Sequence, residues 1–123
     1  MTRELFDTQS NSFPKSSRVL RSSDFRKIYD GGVRSACRYF AAFCLKTEST
    51  DGPKIGFTTP RALGKAVIRN RIRRRLREVI RLRLNLVDPH WEIVFNPRRA
   101  AEEAATADLA REVERLFSKC RGS

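Results

Sequence analysis

The side chains whose spacing most clearly indicates a chemical task are the arginines and lysines between residues 61 and 83. This segment carries ten positive side chains and one acid, Glu78, so it supplies nine of the chain's twelve net positive charges. Like charges four residues apart share a helix face and repel each other by roughly a few tenths of a kcal/mol per pair. Because a solvated helix usually interleaves acids with its bases, the pattern favours a polyanion as partner. The row with this spacing is Lys65, Arg69, Arg73, Arg77 and Arg81.

The same segment has an apolar face, which predicts its secondary structure. Five aliphatic side chains recur at the spacing of one face of an α-helix. They are Ile68, Ile72, Leu76, Val79 and Ile80. We predict a helix that begins soon after Gly64 and ends near Leu84 or Leu86, before Asp88 and Pro89. A membrane surface is a weak candidate partner, because the segment lacks the Trp and Phe that interfacial helices insert.

The composition of the chain agrees with a partner rich in phosphate. Its 123 residues include 26 Lys and Arg against 14 Asp and Glu, and the pI is about 10.8. This length suffices for one hydrophobic core, so we predict a single domain over residues 1–123, with residues 1–15 as a mobile arm. Phe13 in this arm either docks on the domain or stays loose.

Residue types that could catalyse a reaction are scarce. His90 is the one histidine and stands beside Pro89 at a predicted turn, so a histidine pair for general acid and base catalysis is lacking. The sequence has no Gly-rich phosphate loop, no Cys and His set with metal-ligand spacing and no acidic cluster for two metal ions. We therefore expect no catalytic residues and no tightly bound metal in the chain itself.

The cysteines and the N-terminus bear on the compartment. Cys37, Cys44 and Cys120 are odd in number and form no close pair in sequence, which favours reduced thiols, with Cys44 as a small core residue. The N-terminal residues are polar, and no stretch reaches the roughly 20 apolar residues of a spanning helix. We expect a soluble cytoplasmic protein.

Aromatic side chains on a short helix and a strand suggest a surface for unpaired bases. The helix is begun by a serine pair at 22–23 and ended by a glycine pair at 31–32. Phe25, Ile28 and Tyr29 fall on one side of it, and Tyr29, with its polar tip, is the one expected to stay partly exposed. Such a stripe is core by default, but aromatics can also stack single-stranded bases.

Residues 38–45 and 54–59 read as strands, and the turn-forming residues between them suggest a hairpin. Side chains on the first strand alternate, which leaves both faces partly apolar. One face carries Tyr39, Ala41 and Phe43, and the other carries Phe40, Ala42 and Cys44. One of the two packs on helices and the other could offer a ligand surface, and the sequence leaves open which.

A further strand and helix complete the predicted architecture. Residues 91–95 form a short apolar strand, closed by Asn96 and Pro97, and strand–helix–strand order suggests a crossover connection. The final helix starts near Thr106 and presents four apolar side chains to the core. They are Leu109, Val113, Leu116 and Phe117.

Four segments of this sequence resemble the bacterial ribonuclease P protein subunit. The most specific is Arg69-Asn70-Arg71 within GKAVIRNRIRRRLREVIR, which is similar to the signature helix of that family. FPKSSRVLRSSDFRKIYDGG, KIGFTT and WEIVFNPRRAA agree in order and spacing, so the resemblance covers about residues 13–118. It implies an α+β fold, a ribosomal-protein-like two-layer sandwich with a small, mostly antiparallel sheet. The implied element order is α-β-β-(β)-α-β-α, with a left-handed crossover.

The resemblance also implies a function. The partner would be the catalytic RNA of ribonuclease P, which removes the 5′ leader of precursor tRNA by endonucleolytic hydrolysis. In that family the RNA carries the magnesium-dependent chemistry, and the protein shields charge, helps to secure metal ions on the RNA and binds the leader. The first alternative is a ribosomal or ribosome-assembly RNA-binding protein. A DNA-binding helical module is the second, and it is disfavoured because the aromatic hairpin suits single strands better than a major groove.

Site residues follow from the resemblance by position. The set expected to face the RNA subunit is Lys65, Arg69, Asn70, Arg71, Arg73, Arg74 and Arg77. The set expected to contact the leader is Phe25, Tyr29, Arg38, Phe43 and Arg61. One departure concerns Pro60-Arg61-Ala62, where family members often carry Ser-Lys-Lys. One expected positive charge is therefore missing at that place.

Overall fold

The computed structural model describes residues 22–48 and 53–120, so the predicted arm at residues 1–15 and Phe13 lie outside the described residues. The described helices and strands follow the predicted α+β order, with the third strand present before the long helix. They are α1 (Ser22–Gly31), β1 (Val33–Ala36), β2 (Phe40–Lys46), β3 (Lys54–Phe57), α2 (Ala66–Arg81), β4 (Trp91–Pro97) and α3 (Thr106–Ser118). Three 3₁₀ turns connect them, at Arg61–Leu63, Leu84–Leu86 and Arg99–Glu102.

The strands form one sheet in the order β1-β2-β4-β3. The β1–β2 and β2–β4 pairs are antiparallel, whereas β3 and β4 are parallel. Parallel neighbours need a long connection from one end of the sheet to the other, and α2 provides it. The structure therefore confirms both the mostly antiparallel sheet and the crossover.

The predicted hairpin between residues 38–45 and 54–59 is wrong. β2 pairs with β1 and β4, while β3 pairs with β4. Burial explains this arrangement, because Ile93, Val94 and Phe95 of β4 are fully buried on both faces of the sheet and need a strand on each side. β1 lies at the edge, where its mostly exposed residues VRSA are tolerated and gave no apolar signal in the sequence.

Helix boundaries differ from the predictions by a few residues. The serine pair at 22–23 lies inside α1, so the prediction of an N-cap at either serine is wrong, while the end at Gly31 is confirmed. α2 ends at Arg81 instead of Leu84 or Leu86. Its buried face stops at Ile80, and the following leucines pack on the core from a 3₁₀ turn.

The two faces of the sheet have different covers. Phe40, Ala42 and Cys44 of β2 pack into the main core with α2 and α3, and Phe95 lies at its centre. The ring centroids of Phe95 lie 5.2 Å from Phe40 and 6.4 Å from Phe117 of α3. The apolar faces predicted for both helices are therefore buried here, with Ile68 only partly covered.

The opposite face of the sheet carries α1. Ile28 is fully buried there, while Tyr29 packs on Phe43 of β2. α1 is only ten residues long, and it contacts the two central strands, so this face is less completely covered than the first. This answers the question that alternation left open, because the face with Ala41 and Phe43 is the one left to offer a ligand surface. Tyr39 was predicted on the same face, but this is wrong, because it precedes β2 and packs against the main core.

Candidate nucleic-acid interface

Aromatic side chains from α1 and β2 meet on this less covered face. Tyr29 and Phe43 are in edge-to-face contact, with centroids 4.8 Å apart and planes at 85°. Tyr29 is 37% exposed, as predicted, and both Phe25 and Phe43 are half-buried and lie outside the main core. We call Phe25, Tyr29 and Phe43 the aromatic face. These rings are accessible enough to pack against a ligand.

Asn96 of β4 lies on the same face, and the sequence analysis missed it. The Tyr29 hydroxyl donates a hydrogen bond to Asn96 Oδ1 at 3.0 Å, and Thr58 Oγ1 donates to the same oxygen at 2.7 Å. Asn96 is paired with Ala41 in the sheet register, two residues from the Phe43 and Val94 pair. The sequence could have indicated this, because Asn96 lies two residues after Val94 of the predicted strand, and such residues share one face of a sheet.

The end of β3 links the aromatic face to α2. Thr59, next to Thr58, makes long contacts with two arginines of the predicted cationic row. Arg69 Nη1 donates to the Thr59 carbonyl oxygen at 3.4 Å, and Arg73 Nη1 lies 3.5 Å from Thr59 Oγ1. Arg73 Nη2 also donates to Asn70 Oδ1 at 2.6 Å. The aromatic face and the cationic row are therefore adjoining surfaces.

Other arginines of α2 point to a different neighbour, the 3₁₀ turn Arg99–Glu102. Arg71 Nη1 donates to the Glu102 carboxylate at 2.9 Å. Arg75 donates to two carbonyl oxygens of the turn at 2.9 and 2.7 Å and to that of Ala104. Arg69 and Arg71 of the signature thus leave the helix on different sides, and Arg75 has a structural task.

Three cations of the predicted site lie in the open. The side chains of Arg61, Lys65 and Arg74 are exposed and make no hydrogen bond or ion pair within residues 22–48 and 53–120. Arg77 is half-buried. A cation without an ion-pair partner keeps its charge available, so these residues add to the anion-binding surface along α2.

Arg38 takes a different position from the other leader candidates. It lines an open cavity of about 590 Å³ together with Arg99, Glu103 and Asp108. A second cavity joins it to Glu112 and other residues of α3. These neighbours belong to the 3₁₀ turn and α3, so the assignment of Arg38 to the leader surface finds no support in its contacts.

Two cysteines near the core share a hydrogen bond. A hydrogen bond with Cys120 raises the pKa of the buried Cys44 thiol, and the same bond lowers the pKa of Cys120. Cys44 is a core residue as predicted, and all three cysteines are free. His90 accepts hydrogen bonds through its backbone oxygen from Thr47, at the turn before β4. Among the described residues, no three His, Cys, Asp or Glu side chains come together as metal ligands.

Comparison with known proteins decides what kind of chain this is. The sequence model of the Ribonuclease P family matches residues 13–121. The chain belongs to the ribonuclease P protein family. It is 43% identical over 108 residues to the ribonuclease P protein component of Acidothermus cellulolyticus, covering 86% of this chain and 89% of the relative. The protein component of Clostridioides difficile is 32% identical over 108 residues, covering 87% and 94%.

Solved structures of the family have the same fold. The ribonuclease P protein of Staphylococcus aureus superimposes with a TM-score of 0.74 at 25% identity, covering 88% of this chain and 100% of that one. The protein from Thermotoga maritima gives 0.75 at 23% identity, covering 86% and 99%, and supports the fold alone. The resemblance stated from the sequence is confirmed, and the ribosomal alternative is not favoured.

Proposed function

We propose that the chain binds the catalytic RNA of ribonuclease P along α2 and the 5′ leader of precursor tRNA along the aromatic face. Family membership makes it a protein subunit of ribonuclease P with an RNA partner. The assignment of the two RNAs to two adjoining surfaces rests on the junction at Thr58 and Thr59. There the aromatic face and the arginines of α2 adjoin, so one RNA surface can continue into the other.

The exposed side of α2 suits a folded RNA. Lys65, Asn70 and Arg74 are exposed, and neither Lys65 nor Arg74 has an acid that neutralises it among the described residues. Each cation that meets a phosphate releases counterions, which gives affinity without sequence preference and makes it depend on salt. Arg69 and Arg73 stand at the junction and would contact both RNAs. Arg71 shares its carboxylate partner with Arg99, so its guanidinium is partly neutralised.

The aromatic face suits an unpaired strand. Single-stranded RNA is bound by stacking its bases on aromatic side chains, at about 1–3 kcal/mol per base. Tyr29 and Phe43 offer ring surface, and Arg61 in the 3₁₀ turn after β3 offers an exposed charge for the leader backbone. A leader that leaves the precursor as a single strand has the chemistry that this surface binds.

We further propose that the RNA carries the catalysis and holds the magnesium ions. Magnesium prefers carboxylate, phosphate and water oxygens, whereas the exposed side of α2 presents lysine and arginine. The side chains of this surface do not fit a magnesium site, but they fit the phosphates of an RNA that has one. The chain would then act in the cytoplasm, where tRNA precursors are made. Within the described residues, no helix has the length and apolar content to cross a bilayer.

Reconstitution tests this proposal. A precursor tRNA is incubated at low magnesium with a bacterial ribonuclease P RNA, with and without the protein. We expect the protein to stimulate cleavage strongly and to be inactive alone. Tight RNA binding without stimulation would contradict the proposal and favour a ribosomal role.

A matched pair of variants tests the surface. Arg74→Glu reverses an unpaired charge on α2, and Arg111→Glu reverses an exposed charge on α3 that is paired with Asp108. We expect Arg74→Glu to weaken assembly with the RNA and Arg111→Glu to leave it near the wild-type level. Equal effects of the two variants would show that only net charge matters.

A further inference from the structure

We infer that Asn96 reads a leader base by donating hydrogen bonds from its side-chain amide to acceptor atoms on the base edge. This inference rests on the proposed leader-binding role of the aromatic face. It adds a residue that selects among leader sequences to a surface whose rings and charges bind every sequence alike.

Two hydroxyl groups hold the amide of Asn96 in one orientation. Tyr29 and Thr58 donate to Oδ1 at 3.0 and 2.7 Å. The Thr58 distance is the usual value for a bond between two oxygens and lies at the short limit for one from nitrogen, which supports the assignment of this atom as oxygen. A carbonyl oxygen has two lone pairs, so both are used.

The other end of the amide remains available. Asn96 is half-buried, and its Nδ2 accounts for none of the hydrogen bonds within residues 22–48 and 53–120. In this part of the chain, the buried polar side-chain atoms that lack a hydrogen-bond partner do not include Nδ2. Nδ2 therefore keeps some contact with solvent, and its two N–H groups are available to donate.

The position of Asn96 brings it within reach of a stacked base. The Tyr29 hydroxyl touches the amide, and the Tyr29 ring contacts Phe43. A base that packs against Tyr29 would therefore lie next to Asn96. A strand that covers the amide with a base lacking a suitable acceptor leaves a donor unpaired, which lowers affinity.

The saturated oxygen sets the expected preference. A free asparagine pairs with adenine by accepting from N6 and donating to N7. Asn96 can only donate, so the neighbouring O6 and N7 acceptors of guanine suit it better than the donor and acceptor pair of adenine. We expect guanine over adenine by roughly 5- to 140-fold at one leader position, the range of a good base contact.

The test uses the reconstituted holoenzyme and precursor tRNAs that carry guanine or adenine at each leader position in turn. The readout is the ratio of kcat/KM for the two bases. Asn96→Asp keeps an oxygen for both hydroxyls and removes the donors, so we expect the ratio to fall to one or below, because the second carboxylate oxygen can accept from N6 of adenine but not from guanine O6 and N7. Repulsion of the leader phosphates by the added charge acts on both bases alike. Asn85→Asp adds the same charge at an exposed position in the 3₁₀ turn Leu84–Leu86 and should leave the ratio unchanged.

A second variant tests the role of the hydroxyls. Thr58→Val frees a lone pair of Oδ1, so the amide can accept from adenine and the preference for guanine should narrow. Thermal unfolding of each variant checks that the domain still folds.

Three outcomes would overturn the inference. The first is a wild-type holoenzyme without any guanine preference, and the second is an Asn96→Asp variant that keeps the preference. The third is an equal loss of kcat/KM by Asn96→Asp on all leaders, including a leader with an abasic position. The last would assign Nδ2 to the RNA backbone. The proposed function fails differently, because its failure removes stimulation of cleavage by the wild-type protein.

Discussion

Individual arginines of α2 have different tasks although their residue type is the same. Arg74 is exposed and has no partner in the described part of the chain, whereas its neighbour Arg75 donates to three backbone carbonyl oxygens of residues 101, 102 and 104. In the sequence, composition and spacing indicate only that Arg74 and Arg75 are two positive charges of the same segment. The sequence could not separate them, because the acceptors of Arg75 lie more than 25 residues away along the chain.

The first prediction compares Arg74→Gln with Arg75→Gln. Loss of Arg75 leaves partly buried carbonyl oxygens without donors, so we expect about 1–3 kcal/mol lower stability in urea unfolding. Arg74→Gln should change stability by less than about 0.5 kcal/mol and lower the affinity for the RNA subunit, with a smaller salt slope. An unchanged salt slope for Arg74→Gln would remove this residue from the RNA surface.

The second prediction concerns Phe43→Ala. The sequence left open whether Phe43 is core or leader contact, and the structure places it half-buried outside the main core. We expect assembly with the RNA subunit to survive and affinity for leader-bearing precursor to fall by about 1–3 kcal/mol. Phe95→Ala is the control, since that ring is fully buried and its loss should cost about 3–5 kcal/mol of stability. A stability loss for Phe43→Ala as large as that of the control would make Phe43 a core residue.

At the scale of elements, apolar periodicity predicted the helices well and strand pairing poorly. The buried faces of α2 and α3 follow from residues a few positions apart, such as Ile72 and Leu76. Pairing depends on which strand can be buried on both sides, and this follows only once α1 covers one face and α2 and α3 the other. The edge strand β1 has no apolar pattern, so no local signal indicated it.

The third prediction concerns the C-terminal turn of α2. A hydrogen bond from Arg81 lowers the pKa of the Glu78 carboxyl. A lowered pKa adds stability above the pKa of the unfolded chain, and this is lost as the pH falls through the folded value. Glu78 is about half exposed to solvent, so the contribution of this ion pair is below about 1 kcal/mol. Urea unfolding should show Glu78→Gln slightly less stable than wild type at pH 7, and this difference should shrink as the pH falls through the lowered pKa of Glu78. If the stability difference between Glu78→Gln and wild type persists at low pH, it does not come from the charge of Glu78.

At the scale of the whole molecule, ion pairs determine where the positive surface lies. The acids of α3 and of the turn before it are paired with nearby arginines, for example Glu102 with Arg71 and Arg99. Glu114 of α3 pairs with Arg83. The net charge of +12 is therefore carried mainly by lysines and arginines that have no ion-pair partner among the described residues. The sequence predicted this charge and the segment that carries it, but not that Arg69 and Arg73 adjoin the aromatic face at Thr59, because that junction needs the crossover between β3 and β4.

The central claim is that one surface binds the RNA subunit while the adjoining face binds the leader. The most direct measurement is the affinity of a bacterial ribonuclease P RNA for precursor tRNA and for mature tRNA, each with and without the protein. We predict that the protein tightens binding of the leader-bearing precursor and leaves mature tRNA nearly unchanged. An equal effect on both RNAs, or an effect on neither, would contradict a leader site on this chain.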